Sequence, residues 1–137
     1  MSERHRSPVT TIGNGVVEKP RTHKDVEVWR QSMDLVDTIY RITRTFPTEE
    51  MYGLSSQMRR AAVSIPSNIA EGAARSGRRQ FSQFLHVALG SLSELETQLL
   101  ITERLTYINR AGPILQQVET MRRLLLGLIR HLKRDVK

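Results

Sequence analysis

The stretch QMRRAAVSIPSNIAEG, residues 57–72, constrains the fold of this chain most. At 3.6 residues per turn, Leu54, Met58, Ala61, Ile65 and Ile69 recur as the core stripe of a helix. Gln57, Arg60, Ser64, Asn68 and Glu71 form a polar stripe beside it. Ser56, Ser67, Ala70 and Ala74 lie opposite the core, where a solvated helix would carry long charged side chains. Small residues there let a second backbone approach, so the helix is expected to be covered on more than one side, by its own chain and by another copy. The alternative is a plain amphipathic helix with some small surface residues.

Pro66 falls inside the same stretch. It donates no amide hydrogen, so the carbonyl of Ala62 loses its helical partner and the ring presses on the preceding turn. The sequence predicts a kink there or a break into two pieces, with Ser64, Ser67 and Asn68 close enough to help satisfy freed backbone groups. An interior proline costs a helix roughly 3 kcal/mol. Surrounding packing must offset that cost.

The same periodicity appears three more times. Asp25 is a candidate cap for a helix to about Thr45, with a heptad stripe of Trp29, Met33, Val36, Tyr40 and Thr43. An adjacent stripe holds Val28, Leu35, Ile39, Ile42 and Phe46. Pro47 ends this helix. Thr48 is then the expected cap of the second, from about Glu49 to Ala73. Gly72 and Gly77 bracket a short connection, with Ser76 as candidate cap for a third helix over about 78–105. Its stripe is Leu85, Ala88, Leu92, Leu95, Leu99 and Thr102, widened by Phe81, Phe84, Leu89 and Leu100. A fourth helix starts near Gly112 or Pro113 and carries Leu115, Val118, Met121, Leu125, Leu128 and Leu132. No stretch alternates like a strand. Four long amphipathic segments with short connections predict an all-α fold, an antiparallel up-down-up-down four-helix bundle over residues 25–137. Residues 1–24 have no apolar period and are expected to form a flexible, disordered basic arm.

A length of 137 residues fits one such domain. Cysteine is absent, which removes disulfides, thiolate metal sites and thiol nucleophiles. No apolar run has the length of a membrane span and none resembles a signal peptide, so the expectation is a cytoplasmic protein with no membrane association.

The formal charge is +7, and its distribution is uneven. Residues 1–24 carry net +3 and residues 107–137 net +5, whereas 80–106 carry net −2. A smaller basic cluster stands at Arg75, Arg78 and Arg79. On the fourth helix Arg123, Arg130, Arg134 and Lys137 share one outward side, with Arg122 and Lys133 nearby. Such a row suits phosphate contacts. Aromatic residues are 5% of the chain and lie mostly on apolar stripes. That argues against a base-stacking platform and for recognition of backbone and shape.

Three strings carry a resemblance to a known family: VWRQSMDLVDTIYRITRTFP at 28–47, QMRRAAVSIPSNIAEG at 57–72, and FLHVALGSLSELETQL at 84–99. Over roughly residues 25–132 the chain resembles the bacterial four-helix-bundle proteins encoded within intervening sequences of large-subunit ribosomal RNA. The resemblance implies a ring-like homopentamer. It also implies kinship with the accessory variability protein of diversity-generating retroelements, a basic pentamer that binds nucleic acid and a reverse transcriptase.

Enzymatic readings are weaker. His86 has Ser82 one turn before it, but a nucleophilic pair needs an orienting acid and an oxyanion site. A partly buried structural histidine is the expectation. Glu-x-x-His motifs of di-iron bundles are missing, and neither a metal nor a cofactor is expected. Glu71 and Glu94 are the candidate carboxylate pair. A structural polar network of Gln57, Arg60, Ser64, Asn68, Glu71 and Glu94, with Glu94 as an available partner for Arg60, is the better-supported reading. Two function classes remain: a non-enzymatic, oligomeric accessory protein that binds nucleic acid, and an oligomeric protein-interaction scaffold whose basic surface is incidental.

Overall fold

The computed structural model describes residues 23–134. The expected arm over 1–24 falls almost wholly outside that range, as does Lys137. Four α-helices carry the fold: α1 (His23–Thr43), α2 (Leu54–Ala73), α3 (Arg78–Arg104) and α4 (Gly112–Arg134). A single 3₁₀ turn, Thr48–Glu50, stands between α1 and α2. Among the described residues there is no strand, so the fold is the all-α bundle that the periodicity predicts.

Each helix packs on the next, and α1 closes against α4. Residue pairs fix the directions. Along α2 and α3, Met58 meets Thr102, Ser64 meets Ser91 and Gly72 meets Phe81 and Phe84. Along α3 and α4, Glu103 meets Ala111 and Glu96 meets Arg122. As one helix advances, its neighbour recedes. Those pairings set α3 antiparallel to both α2 and α4, which is compatible with an up-down-up-down order.

The core follows the predicted stripes on α2, α3 and α4: Met58, Ile65, Ile69, Leu85, Leu92, Leu95, Leu99, Met121, Leu125 and Leu128 are fully buried. On α1 the phase differs from the heptad stripe. Met33 is 40% exposed and Tyr40 37%, while Val28, Leu35, Ile39 and Phe46 are buried together with Ser32 and Thr43. The adjacent stripe thus carries the core, Thr43 is buried as the heptad stripe has it, and Ser32 is the buried residue that neither stripe contains. Ser32 donates to the Trp29 carbonyl at 2.7 Å and Thr43 to the Ile39 carbonyl at 2.7 Å. A hydroxyl satisfied by its own helix can occupy a core position without an unpaired polar group.

Helix ends also depart from expectation. α1 begins at His23, which puts Asp25 inside its first turn. α2 begins at Leu54 rather than Glu49, because residues after Pro47 wind into the 3₁₀ turn. Gly53 precedes α2 and has no side chain to cap it. Glu50 Oε1 instead accepts the Leu54 amide at 3.1 Å, satisfying one of the orphan donors of the first turn. Ser76 does not cap α3; the extended Gly77 holds that position. Gly72 is not part of a connection but a buried residue in the last turns of α2.

Pro66 neither breaks α2 nor ends it: one helical element runs from Leu54 to Ala73 with the proline buried inside. Asn68 Nδ2 donates to the Ser64 carbonyl at 2.8 Å. That bond serves Ser64 rather than the Ala62 carbonyl that the proline deprives.

Candidate nucleic-acid interface

α4 buries Val118, Met121, Leu125, Leu128, Ile129 and Leu132. That apolar face forces Arg123, Arg130, Lys133 and Arg134 outward, and all four are exposed. Lys133 and Arg134 also fall in the last turn of α4, at the negative end of its dipole. Arg123 faces Glu119 at 3.9 Å with its side chain 64% exposed, a loose pair that solvent screens.

Arg122 differs from its neighbours. Its Nη2 donates to Glu96 Oε1 on α3, and its Nε donates to Glu119 Oε1 at 3.4 Å. With only 21% of the side chain exposed, the guanidinium serves as a tie between α3 and α4. Sequence reasoning had no access to Glu96 as its partner. Nothing in the spacing links positions on different helices, and Glu96 looked like any other solvated glutamate.

Arg75, Arg78 and Arg79 lie in the α2–α3 connection and the first turn of α3, all exposed. Because α3 runs antiparallel to both neighbours, this connection and the C-terminal turns of α4 occupy the same end of the bundle. The fold therefore gathers at one end two basic segments that are far apart in the sequence. Arg75 is partly engaged there: it bonds Glu71 Oε2 at 2.8 Å, and its guanidinium lies 5.0 Å from the centre of the Phe84 ring.

The polar stripe of α2 divides. Ser64 Oγ lies 2.8 Å from Ser91 Oγ across the α2–α3 contact, and Asn68 Nδ2 reaches Ser64 Oγ at 3.1 Å. Gln57, Arg60, Ser64, Ser91 and Glu94 line a recess of about 220 Å³. Arg60 Nη1 donates to Ser56 Oγ at 3.1 Å, and Glu94 accepts from Gln98 Nε2 at 3.3 Å. Arg60 and Glu94 thus face one recess without bonding each other. Glu71 is outside it, paired with Arg75, so Glu71 and Glu94 do not form a carboxylate pair. His86 is exposed rather than partly buried. Its Nδ1 donates to the Ser82 backbone carbonyl at 2.9 Å, not to the hydroxyl. Among the described residues no three His, Asp or Glu side chains cluster as metal ligands would, and no helix is long and apolar enough to cross a membrane.

The geometry defines a class: a small helical bundle with a strongly basic end. A family model described as 23S rRNA-intervening sequence protein matches residues 24–127, and the chain belongs to that family. The chain is also similar to a crystal structure from Bacteroides thetaiotaomicron, described as a protein with unknown function from the S23 ribosomal protein family. The two share 27% identity with a TM-score of 0.72, over 78% of this chain and 98% of that one. No curated protein matches the chain.

Proposed function

We propose that this chain is a non-enzymatic accessory protein that binds nucleic acid, structured RNA or an RNA/DNA hybrid, through phosphate contacts and acts as a homo-oligomer. The observation that carries this reading is the convergence of Arg79, Arg130, Lys133 and Arg134, all exposed, at one end of the bundle. Cations gathered on one surface attract a polyanion and release its counterions on binding. They carry no sequence information, so recognition through them is of backbone and shape. Membership in a family named for intervening sequences of 23S rRNA supports an RNA-related role.

Self-association rests on surface chemistry. Ser67 and Ala74 are exposed on the outer side of α2. Val87, Leu100 and Ile101 of α3 and Leu105 just after it are 41–53% exposed, apolar surface that is available to a second copy. Five copies are what the family resemblance implies, and a ring would repeat the basic end in each copy. Light scattering at micromolar concentration should show the oligomer; a monomer would overturn this part.

Binding is tested by titrating the full chain and a chain beginning at Lys24 against a structured RNA at several salt concentrations. Affinity should fall steeply with salt for both. Loss of all binding in the shortened chain would assign the contacts to the arm. The exposed apolar residues of α3 favour a second reading, the protein-interaction scaffold, which prevails if the full chain binds neither RNA nor DNA at low salt.

A further inference from the structure

The last turn of α1, the 3₁₀ turn and the first turns of α2 enclose an open groove of about 790 Å³. It lies at the end of the bundle opposite the basic cluster described above, and the phosphate reading assigns it no role. Arg44, Arg59 and Arg60 line it, and no Asp or Glu does. Among the described residues none of the three guanidiniums meets a carboxylate. Arg59 Nε donates to Thr43 Oγ1 at 2.7 Å and its Nη2 to the Tyr40 carbonyl at 3.4 Å, while Arg60 is bonded to Ser56 Oγ. Elsewhere Arg30, Arg75, Arg122 and Arg123 each face a glutamate. Three guanidiniums without a bonded carboxylate in one concavity, although Arg60 also faces the recess that holds Glu94, favour an anionic occupant.

The groove also carries flat surfaces. Tyr52 at its rim is 91% exposed and contributes nothing to the core. Tyr40 lies beneath the Arg59 guanidinium, 4.5 Å from its ring centre, and the two hydrogen bonds of Arg59 hold that pair in place. Aromatic rings and guanidinium planes beside free cations are what an unpaired nucleotide requires, the base stacking and the phosphate pairing. A duplex keeps its bases stacked internally and cannot use Tyr52. An acidic peptide would satisfy the arginines and leave the ring unused. A second copy would cover the ring and bury the guanidiniums unless it brought carboxylates.

We infer that this groove takes unpaired nucleotides of an RNA loop or single strand, with a base on Tyr52 and adjoining phosphates on Arg44 and Arg60. The inference rests on the nucleic-acid reading above and adds the element of the RNA that is recognised.

The test compares a hairpin RNA carrying 2-aminopurine in its loop with a blunt duplex of the same stem, each titrated with the full chain. The hairpin should bind more tightly, and the 2-aminopurine fluorescence should fall as its base stacks. Tyr52→Ala should weaken hairpin binding about tenfold, within the usual range for one stacked base. It should leave duplex binding unchanged and abolish the fluorescence change. Tyr52→Phe should retain both, and Arg44→Gln should weaken the hairpin alone. If hairpin and duplex bind equally and Tyr52→Ala is silent, the groove inference fails while the phosphate reading stands. If neither RNA binds, both fail. If Tyr52→Ala leaves RNA binding intact and changes the sedimentation of the chain, the groove belongs to a second copy and the inference is overturned.

Discussion

A Cβ on Gly72 would stand 2.7 Å from Cβ of Phe84 and 2.9 Å from Cδ1 of Phe81. The Phe84 atom is fixed to its backbone, so an alanine here must push α2 away from α3. Alanine is intrinsically better in a helix by about 1 kcal/mol, and the clash has to exceed that. Gly72→Ala should lower stability by about 1–3 kcal/mol, the range of an overpacked core. Gly90 supplies the contrast, since nothing lies within 4 Å of its built Cβ. Gly90→Ala should therefore raise stability by about 0.5–1 kcal/mol. Urea unfolding of both variants checks the pair. Equal gains would mean that α2 and α3 are not held at this distance, and a loss at Gly90 would mean that a second copy covers it.

Thr106 ends α3 with φ of 60°. Its amide bonds the Glu103 carbonyl and the Tyr107 amide bonds the Thr102 carbonyl, both at 3.0 Å. This is the Schellman pattern, in which the left-handed residue is usually glycine. A β-branched residue is strained there by about 1–2 kcal/mol. Thr106→Gly should stabilise the protein by about 1 kcal/mol, after the glycine's greater freedom in the unfolded chain is set against the relief. Thermal unfolding checks it, and a destabilised variant would mean that the threonine is not strained.

How much of this was legible from the sequence depended on chemistry. The α3 and α4 stripes were readable because leucines recur through them at helical spacing. On α1 the stripe of Val28, Leu35, Ile39 and Phe46 was readable too, but the burial of Ser32 was not, because a serine looks like a surface residue until its helix-internal bond is seen. Gly72 read as a connection because the approach of Phe81 and Phe84 comes from another helix. The exposed arginines of α4 could be placed by phase alone. The capture of Arg122 by Glu96 could not, and neither could the groove, whose walls belong to two helices and the turn between them.

Leu92 and Leu125 are both fully buried on facing stripes, whereas Leu100 of α3 is 46% exposed. Leu92→Ala and Leu125→Ala should each cost about 2–5 kcal/mol. Leu100→Ala should cost about 0.5 kcal/mol or less if water covers it. Chemical denaturation separates the cases. A large loss at Leu100, growing at protein concentrations where the chain assembles, would place that residue in a contact between copies.

Tyr107 donates to Glu50 Oε2 at 2.8 Å and packs against Phe46 with ring centres 5.3 Å apart. Glu50 thereby joins the start of α2 to the α3–α4 connection. The hydrogen bond to Glu50 holds the phenol above its ordinary value of 10.0, and partial burial and the charges of Glu50 and Glu49 push the same way. The folded chain keeps this proton to higher pH than the unfolded one. The stabilisation is therefore present in full below about pH 10 and is lost as pH rises through the raised folded value. Spectrophotometric titration should show one tyrosine ionising late, and Tyr107→Phe should remove that phase and flatten the alkaline loss of stability. An unchanged titration curve in the variant would contradict the assignment.

The arginines of α4 should separate into two functions. Arg122 is held by Glu96 and Glu119, so Arg122→Gln should lower stability by about 0.5–1 kcal/mol, the scale of a partly exposed ion pair. It should leave the salt dependence of RNA binding unchanged, because a guanidinium already shared by two carboxylates releases no counterion from a phosphate. Arg130 and Arg134 are exposed and meet no carboxylate in the described chain. Changing both to Gln should leave thermal stability within about 0.5 kcal/mol of the parent. Binding should weaken similarly across RNA sequences, and the slope of log affinity against log salt should flatten by about one for each phosphate no longer held. Fluorescence anisotropy at several salt concentrations, with melting curves on the same preparations, measures both quantities. If the double variant keeps the parent's slope, the C-terminal turns of α4 are not where phosphate is bound. If Arg122→Gln flattens the slope, the pair with Glu96 opens on binding and that arginine belongs to the interface after all.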